Sequence, residues 1–439
     1  MDDFETFAVD RELRKCCERW RRFRRVLQAG QIPESDPFAA SRPVLGRRMF
    51  YELGELKSDP LAPTLKRWVY RLTEQRVTSD LLVELSQRLR CERHAVSEPD
   101  EGGYPFATML RNGIGVGPKP ELWLKQALKH TARVQELVLQ LWERRQELAT
   151  RLALASPDAI SAPCEQLYEH ADRWITDTEA PWQTPPHITA AELVRQALGD
   201  PGTLEWPARL APRVLLDFFA DSRLLEGLDL DPGRLPEALA PTSYMRAMAR
   251  LGAAFLDAGA PRDQPFSIAH DAYGLERRRH GALFALLLMN PEFLRRRLGA
   301  GKDAIKTAQR SFGTSLLIAS RIAALRVLLR RAALTGGKAF LDAFEEQSAR
   351  VCRVELPRKT AGVFIRVHDD DPQRFAGLLM AARSLQRLTD EHDEDWFRNP
   401  RAIDQLRSEA ALPPAFHADP EALTEGARLL SATLHKSLA

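Results

Sequence analysis

The chain is 439 residues long, 44% apolar and 28% charged, the mix of a globular protein large enough for two or three domains or one two-lobed body. Its 63 basic and 60 acidic residues leave a formal net charge of +3, so composition gives no support to a general nucleic-acid affinity, which needs a stronger imbalance or a concentrated basic face. Five scattered cysteines (Cys16, Cys17, Cys91, Cys164, Cys352) without CxxC spacing indicate neither a disulfide framework nor a thiolate zinc site, and they read as reduced thiols.

Leu, Ala and Arg are abundant and β-branched runs are few, which favours helix throughout. The start, MDDFETF, is acidic and has no signal-peptide pattern, so a cytoplasmic location is expected. Over residues 11–29, Leu13, Cys16, Trp20, Phe23 and Leu27 recur at three- and four-residue spacing and form one apolar helical face. Arg11, Arg14, Arg19, Arg21, Arg22, Arg24 and Arg25 fall on the other face and read as a solvated surface. Helices are expected at 44–57, 63–92 and 119–153. Between the last two, 96–118 reads as non-helical: Gly113, Gly115 and Gly117 are followed by Pro118 and Pro120, which suits a turn and not a dinucleotide fingerprint.

A proline-rich joint, TEAPWQTPPHIT at 178–189, is expected to separate two lobes, and Thr189 with Glu192 has the spacing of a capping box. Further helices are expected at 204–225, 241–259, 273–290, 301–334, 338–353, 371–394, 400–410 and 419–436. The longest apolar stretch, GALFALLLMNPEF, is too short and broken to span a bilayer, so no membrane partner is expected. One strand is expected, Val363 to Val367, and no internal repeat is evident. The expected fold class is therefore all-α, with at most a small sheet: an N-terminal helical lobe 1–177, the joint 178–189 and a C-terminal helical lobe 190–439.

Two segments carry a family likeness. One is DEDWFRNPRAIDQLR at 393–407, a Trp-bearing turn entering a helix. The other runs from Tyr244 to Leu294 and ends RHGALFALLLMNPEFL. In pattern and order the C-terminal half resembles the helical zinc peptidases of the thimet oligopeptidase, oligoendopeptidase F and angiotensin-converting-enzyme type. That resemblance implies a two-lobed metallopeptidase-like architecture with a long cleft. In the family, a His-Glu-x-x-His helix grips zinc with its two histidines, and the glutamate activates the metal-bound water. Laid on Met248–Phe255, the frame puts Ala249 and Ala253 at the ligand positions and Arg250 at the general-base position. The third ligand falls at His280, or less favourably at Glu276.

Alanine offers no lone pair, and arginine is a permanent cation where a dication would bind. The family's downstream tyrosine, which stabilises the oxyanion, has no counterpart either, since the last tyrosine is Tyr273. Other catalytic patterns are no better. Ser315 lacks the closing glycine of a nucleophile elbow, and Gly336-Gly337-Lys338 is an incomplete P-loop. Cys91, His94 and Glu98 share one helix end with no second site converging on them. Asp369 to Asp371 and Asp390 to Asp395 read as a helix start and a solvated turn.

The resulting expectation is a pseudo-metallopeptidase with no catalytic residue, cofactor or metal, which binds a peptide or protein segment. Its degenerate site would comprise Ala249, Arg250, Ala253, Glu276 and His280. The favoured account of His280 is a salt-bridged or solvent-exposed helix end. Only if the old cleft persists would Arg250 and His280 face it and prefer anions, the alternative being an internal acid such as Glu276 or Glu237 that neutralises Arg250. The alternatives are a helical scaffold or complex subunit whose cleft is filled by side chains, and an enzyme with a non-zinc site. A nucleic-acid partner ranks last, because no aromatic residues interleave with the basic runs as stacking platforms.

Overall fold

The computed structural model describes residues 6–96, 102–114, 119–182, 193, 241–261, 263–364 and 370–438. Among these, helix dominates as the composition requires. The order is α1 (Thr6–Gln28), α2 (Arg47–Glu55), α3 (Ala62–Val77), α4 (Ser79–Arg90), α5 (Phe106–Ile114), α6 (Pro120–Lys129) and α7 (Thr131–Arg151). Then come α8 (Asp158–Ser161), α9 (Leu167–Asp177), α10 (Glu179–Trp182), α11 (Pro241–Gly259), α12 (Phe266–Ala269), α13 (Leu275–Leu286) and α14 (Pro291–Leu298). The chain closes with α15 (Lys302–Thr335), α16 (Gly337–Cys352), α17 (Ala361–Phe364), α18 (Asp371–His392), α19 (Pro400–Ala410) and α20 (Pro420–Leu438). The described sheet is one antiparallel ribbon, β1 (Arg93–His94) with β2 (Tyr104–Pro105), paired Arg93 to Pro105 and His94 to Tyr104. The protein is all-α.

Local chemistry explains several boundaries. Asn-Pro opens both α14 and α19. The Asn290 side chain accepts from the amides of Glu292 and Phe293, Asn399 accepts from that of Arg401, and each proline occupies a first-turn position whose N–H has no intrahelical partner. Gly299 ends α14 at φ 61°, a left-handed conformation that costs glycine little.

Three expectations need correction. The non-helical stretch 96–118 contains helix α5 after the short ribbon. The expected strand from Val363 begins instead as the helical turn α17, while 365–367 lie outside the described residues. The single helices expected at 63–92 and 119–153 each break once, at Thr78 and His130. The helix expected at 204–225, the capping box at 189–192 and most of the joint also lie outside the described residues; before them, Glu179–Trp182 is helical.

Among the described residues two large apolar cores form, beside a small third cluster of Val96, Phe106, Met109 and Ala127. The smaller of the two large cores joins Leu13, Cys16, Trp20, Phe23 and Leu27 of α1 to Phe50, Leu65, Trp68 and Tyr70, with Phe266 and Tyr273 arriving from far along the chain. The larger draws on residues either side of 178–189, from Leu124, Leu141 and Trp174 to Phe312, Phe375, Trp396 and Leu434. Its axis is α15, the one described helix long and apolar enough to cross a membrane, and 78% of its apolar window is buried inside the protein. Arg321 on α15 is fully buried. Its guanidinium donates to the Val351 carbonyl at 2.9 Å and to the Ile175 carbonyl at 2.9 Å, near the last turns of α16 and α9. Burial lowers its pKa to about 10, still cationic at neutral pH.

Candidate functional site

Helices α11 and α13 carry all five residues singled out from sequence, and they cross in direct backbone contact. A Cβ at Gly252 would lie 2.6 Å from the His280 carbonyl oxygen and 2.5 Å from the Phe284 ring. One at Gly281 would lie 2.7 Å from the Ala249 carbonyl oxygen. Such distances admit no side chain, so glycine is required at both points. Ala253 is buried on the same helix and Ala249 is half-buried. The positions that match ligand histidines are thus small residues at a helix–helix contact.

His280 is fully buried in this contact. Its Nδ1 lies 3.1 Å from the Glu276 carbonyl oxygen, which can only accept, so Nδ1 carries the proton. Nε2 is buried and has no hydrogen-bond partner. Burial, followed by the Arg279 charge, lowers the imidazole pKa to about 3, and the ring is neutral at physiological pH. Arg250, in contrast, is exposed. Among the described residues, Ala249, Ala253, Glu276 and His280 meet at one crossing, where His280 is fully buried, while Arg250 of α11 is exposed.

An open groove of about 690 Å³ does lie beside the crossing, and Glu276 reaches it. Leu256 of α11, Glu276 and Arg279 of α13, the last three turns of α18, Glu409 of α19, the 412–415 connection, and Ala422 and Glu425 of α20 line it. The Arg279 guanidinium organises its base. Nε donates to Glu276 at 2.6 Å, and Nη1 donates to the Ser384 hydroxyl at 2.9 Å and lies 3.6 Å from Glu409. Arg387 also pairs with Glu409, and Arg383 Nε lies 2.7 Å from Glu425. Asp390 and Glu391 are held differently: Asp390 accepts from the Gln386 amide at 2.7 Å and Glu391 from the Gln405 amide at 2.9 Å. Five carboxylates and three guanidiniums line the groove, an excess of negative charge.

The Ser384 hydroxyl donates to the Met380 carbonyl while accepting from Arg279, so no general base activates it. Among the described residues no group of three or more His, Cys, Asp or Glu is placed to hold a metal ion. The remaining sequence candidates lie elsewhere. Ser315 is buried mid-helix in α15, Cys91 is exposed, and His94 stacks on His130 with ring centroids 3.9 Å apart. Glu98 and Asp369 lie outside the described residues, while Asp370 pairs with Arg278 and Arg374 at the start of α18.

Sequence reading missed a second polar assembly, buried between the two cores. Glu74 on α3 lies 2.7 Å from Arg71 and 2.9 Å from Arg145 of α7. Arg330 of α15 pairs with Asp158 at 2.6 Å, and the Tyr273 ring is flanked by the Arg67 and Arg71 guanidiniums at 5.3 and 5.1 Å. Its signal was present in the chain: Arg67, Arg71 and Glu74 fall on one face of α3, at four- and three-residue spacing.

Comparison with known proteins finds no family model that matches the chain and no curated protein that matches it.

Proposed function

We propose that this protein is a non-catalytic, cytoplasmic relative of the helical zinc peptidases that binds an extended peptide or protein segment. The groove beside the α11–α13 crossing would be the binding site. The observation that carries the reading is that groove: about 690 Å³, open, and within the size range of ligand sites. Its base is held together by arginine–carboxylate pairs within the protein. The pseudo-peptidase part rests on the Ala249, Arg250, Ala253 frame, and the absence of side-chain ligands there is what argues for binding over hydrolysis. Five free cysteines accord with a reducing compartment.

The scaffold reading keeps one specific support, since the α11–α13 crossing is filled by backbone and apolar side chains as that reading requires. A photo-crosslinking residue introduced at Leu412 or at Arg250 separates the two. Incubated with a randomised decapeptide library, the Leu412 probe should capture peptide and the Arg250 probe should not, with the library left intact. Cleavage of the library would overturn the non-catalytic reading, and capture at neither position would favour the scaffold.

A further inference from the structure

We infer that the segment taken by this groove is basic: a lysine or arginine side chain seats against Asp390 and Glu391 while a neighbouring apolar side chain packs on Leu412 and the prolines beside it. The inference rests on the groove reading above and adds the chemical class of the partner. Three observations carry it.

The first is how the charges are committed. Each arginine in the groove has a carboxylate partner: Arg279 with Glu276 and Glu409, Arg387 with Glu409, Arg383 with Glu425. An incoming acid would have to break one of these pairs. Asp390 and Glu391 instead accept from the neutral amides of Gln386 and Gln405, which orient them without cancelling their charge, and the His392 imidazole stands 4.0 Å from Glu391.

The second is their position. Both acids lie in the last turn of α18, a 22-residue helix ending at His392. A helix C-terminus carries partial negative charge from its unsatisfied carbonyls, so carboxylates there are disfavoured and a cation is favoured. Both residues are exposed, and a ligand cation can reach them without unfolding anything.

The third is the apolar lip. Leu412 is 62% exposed, the most exposed large hydrophobic residue of the described chain, and it lines the groove with Pro413 and Pro414. Prolines hold this lip without offering N–H groups, so it recognises side chains and not a paired strand. An apolar residue adjacent to a cationic one matches lip and acids together. A uniformly charged chain matches only the acids.

The test uses three fluorescein-labelled nonapeptides, Lys-Leu-Ser, Glu-Leu-Ser and Gln-Leu-Ser, each repeated three times, with binding read by fluorescence anisotropy on the full chain. The lysine peptide should bind at least about tenfold tighter than the glutamate one, with the difference shrinking at high salt. The double variant Asp390→Asn/Glu391→Gln should abolish that preference, and Leu412→Ser should weaken all three peptides. The free double variant should melt about 1–3 °C higher, because repulsion at the helix end is removed. If the glutamine or glutamate peptide binds as well as the lysine peptide and Leu412→Ser still weakens binding, the basic-partner inference falls and the groove reading stands. If no peptide binds, or Leu412→Ser changes nothing, both fall. An unchanged or lower melting point in the free double variant removes the helix-end argument.

Discussion

Gly281→Ala sets two known effects against each other at the α11–α13 crossing. Within a helix, alanine is favoured over glycine by about 1 kcal/mol, so a glycine with room around it should be improved by the change. At Gly281 the added Cβ would sit 2.7 Å from the Ala249 carbonyl oxygen. The obstacle is backbone, so no rotamer change relieves it, and α11 and α13 must move apart by several tenths of an ångström. Overpacking of this kind costs roughly 1–3 kcal/mol, and the parted helices also lose the close contacts of Phe284 and Ala253. The steric term should win, leaving a net loss of about 1–2 kcal/mol. Gly54→Ala is the matched control. There the nearest atom to a new Cβ is the mobile end of Lys66, at 3.2 Å, and the variant should be neutral or up to about 1 kcal/mol more stable. Urea unfolding of both variants at equal slope measures the difference. Should Gly281→Ala stabilise the protein as much as Gly54→Ala does, space remains between the helices. The expected cleft around Arg250 and His280 would then be open after all.

Three further outcomes follow from the buried groups. Glu74→Gln leaves Arg71 and Arg145 sharing a buried site without their common carboxylate and should cost about 3–5 kcal/mol; a thermal midpoint within a degree of the parent would show that solvent reaches this cluster. His280 has a folded pKa of about 3, below the ordinary 6.5, so between these values the unfolded chain binds the extra proton. Its stabilising contribution is complete above about pH 6.5 and is lost as pH falls towards 3, by about 2 kcal/mol between pH 7 and 5. His280→Leu should remove that share of the acid sensitivity in urea melts, and an imidazole resonance titrating near pH 6 would contradict the assignment. Trp396 is fully buried beside Phe397, which itself packs on Phe293 at 5.3 Å, so Trp396→Ala should cost about 3–5 kcal/mol. A calorimetric midpoint that barely moves would mean the 393–399 corner does not clamp α18 to α19.

The chain announces its helices wherever the apolar face is continuous. α1 is legible because Leu13, Cys16, Trp20, Phe23 and Leu27 keep one face to the core from start to end. The breaks at Thr78 and His130 are not legible, since no glycine or proline marks them. The run from Val363 misleads because β-branched residues favour strand locally, whereas tight packing of the adjoining turn decides the outcome: a Cβ at Gly362 would lie 2.5 Å from the Gln135 backbone of α7. Glu74 and its arginines could have been noticed, but charges at three- and four-residue spacing identify a shared face and not their partners on other helices.

The candidate site shows the same limit more sharply. Ala249, Gly252 and Ala253 have the spacing of an emptied metal motif, and equally that of a close helix contact, because both demand residues on one helical face. Packing alone accounts for the small side chains. The run from Asp390 to Asp395 likewise reads as a solvated turn, for nothing near it in sequence gives it a use. What changes its meaning is tertiary. The 412–415 connection brings Leu412 and two prolines to the groove that the end of α18 also lines, while Arg279, Arg383 and Arg387 are each bound to a carboxylate on the groove's walls. An acidic helix end becomes a candidate cation site once its neighbours' positive charges are committed elsewhere and an apolar surface adjoins it. No window of the sequence contains both conditions.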